Sequence, residues 1–466
     1  MTKEKERTYK GIASFDSGKG NTMEITFPKV RPALKFIANL RRLDNYKGEF
    51  GFDWMRDDYQ TICKDYEKLK KEYTLTKIHD EDYFVPWLSM FPQQEDIKLK
   101  LEVEILEGTA TDVDIIKLPE KEGIRFEPEQ VKVNESESKQ IKIICNSPLS
   151  NDVTIDLLDK NDEKVGAISV VKNDEDLVLK VKLVKVKGDE IDNRYNEQTF
   201  SNISEHWESE LFNKLTNNCF NQALIKIEKE TTEEMVIDVD NYIEEGVLDV
   251  FVDDEGKRGI PRMNKGFDKK LYKDFVTKNG ENNGIIFFLS AIHQKGTEAG
   301  HGYPYPRDTN YIIIVPSSVG GALETYQHEL GHALGLHHVW ESSNIYKDKI
   351  LAIEAEQRKI EDWFNKYKEY PNKTKIGKTN ETLGQRREEY KNWLNELKLE
   401  KKDRMDLSNP LFTFNKSSTE NIMDYMGYYI YENGERVTIN NPNNLISFWK
   451  WQWKMITKEV KKYHGK

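Results

Sequence analysis

Four of the nine histidines of this chain fall in one stretch, HELGHALGLHH, residues 328–338. On a helix, His328 and His332 are four residues apart, so their rings stand about 40° apart on one face, one turn above the other. Two imidazoles so placed can grip one Zn²⁺ at about 2.0–2.1 Å. Glu329 follows the first of them and projects about 100° around the helix, close enough to take a proton from activated water without ligating the metal. A third ligand cannot come from an uninterrupted helix, on which His337 would point about 180° and His338 about 80° away from His328. Gly335 can end the helix in a left-handed conformation and turn the chain back, which brings the residue three positions later to the metal. That residue is His338, and His337 is left to packing or to supporting contacts. Three neutral ligands with an open fourth position and an adjacent carboxylate are the requirements of a hydrolytic site.

The elements that must position these residues are partly readable. LVLKVKLVKV (177–186) opens a series of strands, a helix is expected over 204–225, and IKIEKE, EMVIDVD, GIIFFLS and TNYIIIVP follow as strands before the motif helix. That order indicates an α/β unit. TNYIIIVP (309–316) is the expected edge strand, on which an extended substrate would pair by main-chain hydrogen bonds. The preceding loop TEAGHGYPYP would shape the cleft, with His301 a hydrogen-bonder of that loop. The acidic run VDDEGK (252–257) lacks the alternating oxygen ligands of a calcium loop and reads as a solvated turn.

Upstream, residues 1–95 read as a small α+β N-terminal domain, with a strand at NTMEITF (21–27), a helix at 59–73 and a core of Phe50, Phe52, Trp54, Tyr59, Tyr83, Phe84, Trp87 and Phe91. Short alternating runs separated by turn residues over 96–177 predict an immunoglobulin-like β-sandwich. After the motif, residues 342–402 form a charged block. Ile353, Ile360 and Tyr367, and then Leu383, Tyr390 and Leu397, recur every seven residues, which predicts an antiparallel helical hairpin inserted in the fold. The aromatics of 443–463 have helical spacing and are expected to pack as core.

H-E-x-x-H-x-x-G-x-x-H (328–338) resembles the metzincin zinc peptidases, and NIMDYM (421–426) is similar to the Met-turn of that family. HVW after the motif, together with NIMDY, looks most like the pappalysin-like branch. The resemblance covers about 178–466, is specific at these two motifs, and implies a zincin-like α/β catalytic domain. It also implies Zn²⁺ on His328, His332 and His338, Glu329 as general base, and Met423 as a thioether floor that does not ligate. Tyr425 would contact the metal, donate a hydrogen bond to the oxyanion, or simply pack. The long charged stretch between His338 and Met423 departs from the family pattern and leaves substrate preference open.

A net charge of −11, with 70 basic residues interleaved among 81 acidic ones, disfavours a nucleic-acid partner. No apolar run approaches the roughly 18 residues of a membrane span. Cys63, Cys145 and Cys219 are too far apart for a disulfide framework or a CxxC metal site. The amino terminus MTKEKERTYKG lacks the apolar stretch of a secretory signal, so synthesis in the cytosol is expected, with any export signal-independent. The missing signal, the modular front end and a hydrolase with toxic potential suggest a bacterial effector exported by a contractile injection apparatus, with residues 1–177 meeting that apparatus or a target-cell partner, and GEFGFDWMR (48–56) and PWLSMFP (86–92) resemble effectors of Bacteroidetes-type bacteria. The leading expectation is therefore a zinc endopeptidase acting on protein or peptide. The competing readings are a binding or targeting protein whose front domains carry the main role, and a zinc amidase acting on cell-wall peptide.

Overall fold

The computed structural model describes residues 32–94, 97–189, 205–250, 262–290, 292–294, 300–302, 310–315, 323–341, 344–377, 381–408, 412–432 and 435–464. NTMEITF (21–27), VDDEGK (252–257) and most of TEAGHGYPYP lie outside them.

Two sheets build the front half. One runs in the order Lys35–Arg42, Ile97–Glu107, Gln140–Cys145, Ile124–Glu127, and the other in the order Gly51–Asp53, Trp87–Ser89, Lys164–Val170, Val153–Leu158, Ile115–Lys117, Gln130–Lys132. Period-two alternation explains their shared core: Phe36, Ala38, Leu40, Ile97, Leu99, Leu101, Ile141 and Ile143 from the first meet Phe52, Leu88, Ile155, Leu157, Ile168 and Val170 from the second. Each of these side chains larger than Ala38 stabilises the fold by roughly 1.5–3 kcal/mol on burial.

This arrangement corrects the expected boundary at 95/96. Lys35–Arg42 pairs with Ile97–Glu107 from Arg42↔Leu99 to Lys35↔Glu107, so the sheet runs straight across it. The aromatics assigned to a separate N-terminal core are divided among clusters, Tyr83 packing in a small one with Ile37, Ile78 and Val85. Phe50 and Phe52 join the two-sheet core, whereas Tyr59 and Trp87 join the core of the following unit. The helix expected over 59–73 is also broken, into Tyr59–Ile62, Tyr66–Leu69 and a 3-10 turn at Lys70–Glu72. Cys63 leaves the helix because its backbone bridges Phe414, while the Lys64 N–H donates to the Thr413 carbonyl at 2.8 Å.

The second unit is built on a five-stranded sheet, in the order Ile225–Ile237, Leu177–Gly188, Ile285–Ser290, Tyr311–Ile314, Gly300–Gly302. Its first four strands are parallel, and Gly300–Gly302 runs antiparallel to Tyr311–Ile314. The continuous apolar runs IIFFLS and YIII are buried on both sides, as central parallel strands require. Phe287 and Ile312 face helix Glu205–Asn217 and the motif helix Leu323–Ala333 through Leu211, Leu215, Tyr326 and Leu330. Ile286, Phe288 and Ile313 face helix Phe267–Asn279 through Leu271 and Phe275. The expected edge strand is therefore internal. Its four consecutive large apolar residues need cover on both faces, and the small-residue strand Gly300–Gly302, which contains His301, takes the edge.

The charged block forms helices Asn344–Tyr367 and Leu383–Ser408, longer than the expected 342–402. Ile353, Ile360 and Leu397 make their seam, and contacts Glu354–Lys401 and Trp363–Tyr390 set them antiparallel. Among the described residues, no helix is long and apolar enough to cross a membrane. Helix Lys450–Glu459 packs Trp449, Trp451 and Trp453 into the core beneath the second unit.

A buried charge cluster joins the two units. The Arg56 guanidinium donates to the Glu420 carboxylate, Arg42 lies 3.8 Å from the same group, and Asp53 lies 4.0 Å from Arg56. Asp53 also accepts from the Tyr73 hydroxyl at 2.9 Å and from the Lys450 N–H at 3.0 Å. Burial pushes the Asp53 carboxyl up to about 6, against the pull of Arg56. Burial works the same way on Glu420, but Arg56 and Arg42 outweigh it and hold that carboxyl below its ordinary value.

Candidate metal centre

The motif helix ends as the glycine predicts. Gly335 has φ +88°, its N–H donates to the His332 carbonyl at 2.9 Å, and the Leu336 N–H donates to the Gly331 carbonyl at 2.9 Å. This glycine-terminated helix cap reverses the chain and carries His338 back over His328 and His332. The His338 Nε2 lies 3.1 Å from the His328 Nε2 and 3.3 Å from the His332 Nε2. Three ligands on a tetrahedral ion at about 2.0–2.1 Å would stand roughly 3.3 Å apart; the two distances from His338 match that spacing, and all three ligand atoms lie within 4.8 Å of one another.

The other nitrogen of each ring faces an acceptor. His328 Nδ1 donates to the Ile422 carbonyl at 2.8 Å, His332 Nδ1 to the Leu336 carbonyl at 2.8 Å, and His338 Nδ1 to Glu341 Oε1 at 2.9 Å. A carbonyl oxygen can only accept, so the Nδ1–H tautomer is fixed and the Nε2 lone pairs converge. For His328 and His332, protonation does not relieve that convergence at neutral pH. Burial, reinforced by His338, pushes His328 down to about 4, and burial with the neighbouring imidazoles holds His332 well below its ordinary value. Three converging nitrogen donors fit a borderline cation such as Zn²⁺.

Glu341 was not anticipated in the sequence. Its Oε2 accepts from His337 Nδ1 at 3.3 Å while its Oε1 accepts from His338, so one carboxylate joins the two imidazoles. Although burial favours the neutral acid, these two hydrogen bonds hold Glu341 below the usual carboxylate range. Replacing it, Glu341→Gln, should weaken metal binding about 10- to 100-fold, measured by competition with a chromogenic chelator. An unchanged dissociation constant would remove Glu341 from the site.

Met423 lies beneath the motif helix, completely buried. A Cβ on Gly331 would stand 2.5 Å from its Sδ, so the glycine inside the motif is what lets the thioether approach. The turn that carries Met423 is organised by the buried Asp424. Its carboxylate accepts from the backbone N–H groups of Ser417, Ser418, Thr419 and Tyr425 and from the Thr419 hydroxyl, at 2.8–3.1 Å. Tyr425 stands beside the imidazoles, its ring 4.8 Å from that of His338 and 5.6 Å from that of His328. Glu329 is buried on the motif helix next to His328, and His301 occupies the edge strand at the register of Ile313.

No family model matches the chain, and no curated protein matches it. Among solved structures, a chain from "Structure of a chaperone-substrate complex" is similar at 13% identity with a TM-score of 0.23, over 37% of this chain. The match spans 28% of that chain's length and carries no argument about this one.

Proposed function

We propose that this chain is a zinc-dependent endopeptidase of the metzincin type, similar to the pappalysin-like branch. The observation that carries the reading is the convergence of three Nε2 lone pairs whose Nδ1 partners are all accounted for. His328, His332 and His338 would hold the ion, which when bound supplies Lewis acidity toward the scissile carbonyl and toward water.

The remaining work belongs to the chain's own side chains. Glu329, adjacent to the first ligand, takes the proton of the attacking water and returns it to the departing amine nitrogen. Tyr425, whose ring stands beside those of His328 and His338, would donate to the developing oxyanion or pack against the imidazoles. The antiparallel strand Gly300–Gly302 has one edge on Tyr311–Ile314 and, among the described residues, no strand on its other edge. An extended substrate can pair there through its main chain.

Incubating the zinc-loaded chain with a casein-like protein and with peptidoglycan, side by side, tests this reading. Protein cleavage is expected, lost on chelation and restored by Zn²⁺. Release of cell-wall peptide with the protein left intact would replace the peptidase by an amidase.

A further inference from the structure

We propose that Lys416 gives the cleft a preference for peptides with an acidic side chain close to the scissile bond. The inference rests on the peptidase reading and adds a substrate class to it.

The Lys416 ammonium sits 4.4 Å from the Trp340 ring centroid, 4.6 Å from that of Tyr425 and 5.1 Å from that of Tyr428. Two of these rings border the metal ligands. Trp340 stacks on His338 at 4.7 Å with an interplanar angle of 18°, and Tyr425 meets both His338 and His328. Lys416, Trp340, Tyr425 and Tyr428 are all half-buried, so solvent reaches this wall.

Three aromatic faces hold the ammonium at one point and restrict a side chain that would otherwise sweep a wide volume. Among the described residues, no carboxylate forms an ion pair with Lys416. Glu341, the nearby acid, is engaged with His337 and His338. A positive charge thus sits over two of the rings that contact the imidazole trio, in a chain whose net charge is −11. An extended peptide advances about 3.3–3.6 Å per residue. An ammonium two ring contacts from His338 therefore faces a substrate residue within about three positions of the bond. A carboxylate there is attracted and an ammonium repelled.

The test uses full-length, zinc-loaded protein and matched quenched-fluorescence peptides. These carry Glu, Gln or Lys in turn at each of three positions on either side of the cleaved bond. At one position, kcat/KM should favour Glu about 10-fold over Gln and about 100-fold over Lys, and the ratio should shrink as salt rises. Lys416→Arg should keep the order and Lys416→Glu should reverse it, which a purely structural lysine would not do. Equal turnover of the three peptides, or a preference for Glu that survives in Lys416→Glu, would overturn the inference and leave the peptidase standing. Failure of wild-type protein to cleave any peptide would overturn both.

Discussion

Glu329→Gln should bind zinc as the wild type does and lose at least about 10²-fold in kcat, the lower end of what a positioned general base contributes. The substitution keeps the size of the side chain and removes its basicity. Glu329 is not one of the three converging donors, so His328, His332 and His338 keep their spacing and their hydrogen bonds to Ile422, Leu336 and Glu341. The loss should appear equally in kcat and kcat/KM, because the proton transfer occurs only in the transition state. Single-turnover kinetics on one fluorogenic peptide, with metal content measured on the same samples, checks it. Full activity in the variant would remove Glu329 from the chemistry.

Arg56→Met should destabilise the protein by about 3–5 kcal/mol, the cost of leaving a buried ion pair without one partner. Glu420 would then keep Arg42 as its cation, and Asp53 only its hydrogen bonds from Tyr73 and Lys450, in a place where burial already favours the neutral form of both acids. The effect should not stay local. Glu420 begins the turn that supplies the Ile422 carbonyl to His328 and the Met423 floor to the motif helix, and its own carbonyl accepts from Ile446 and Ser447. Urea denaturation of metal-free protein reads the first effect, and chelator competition well below the unfolding midpoint reads the second. The double variant Arg56→Met, Glu420→Gln should recover part of the lost stability, since the Glu420 charge is then no longer left short of a partner. If the single variant matches wild type in both measurements, the charge cluster does not join the two units energetically.

Side-chain types and spacing were the legible part of the site. His328 and His332 one turn apart, and Gly335 at the point where the helix must reverse, specify local geometry, and local geometry is what a sequence encodes most directly. Its supports were hidden for a physical reason. Two of the three Nδ1 acceptors are backbone carbonyls, at Ile422 and Leu336, and a carbonyl leaves no residue signature. Glu341 had a local signal, an acid three residues after His338, as did Gly331 one residue before His332. The role of Gly331 becomes visible only once Met423 is packed against it.

The fold divides in the same way. The strands of the front half and the seam of the charged hairpin follow from period two and period seven within single segments. The pairing of Lys35–Arg42 with Ile97–Glu107, and the break at Cys63 caused by Phe414, depend on partners far along the chain. The apolar run Tyr311–Ile314 shows a buried strand plainly, but its interior place in the sheet depends on Gly300–Gly302, a three-residue strand with almost no pattern of its own.

The central claim is that the three imidazoles hold one divalent ion. Elemental analysis of the folded, full-length protein by inductively coupled plasma mass spectrometry, paired with the His338→Ala variant, tests it most directly. The account predicts one zinc per chain in the wild type and a substoichiometric amount in the variant after the same dialysis. Folded wild-type protein that retains no transition metal when purified in zinc-supplemented buffer, or a variant that binds it equally well, would contradict the claim.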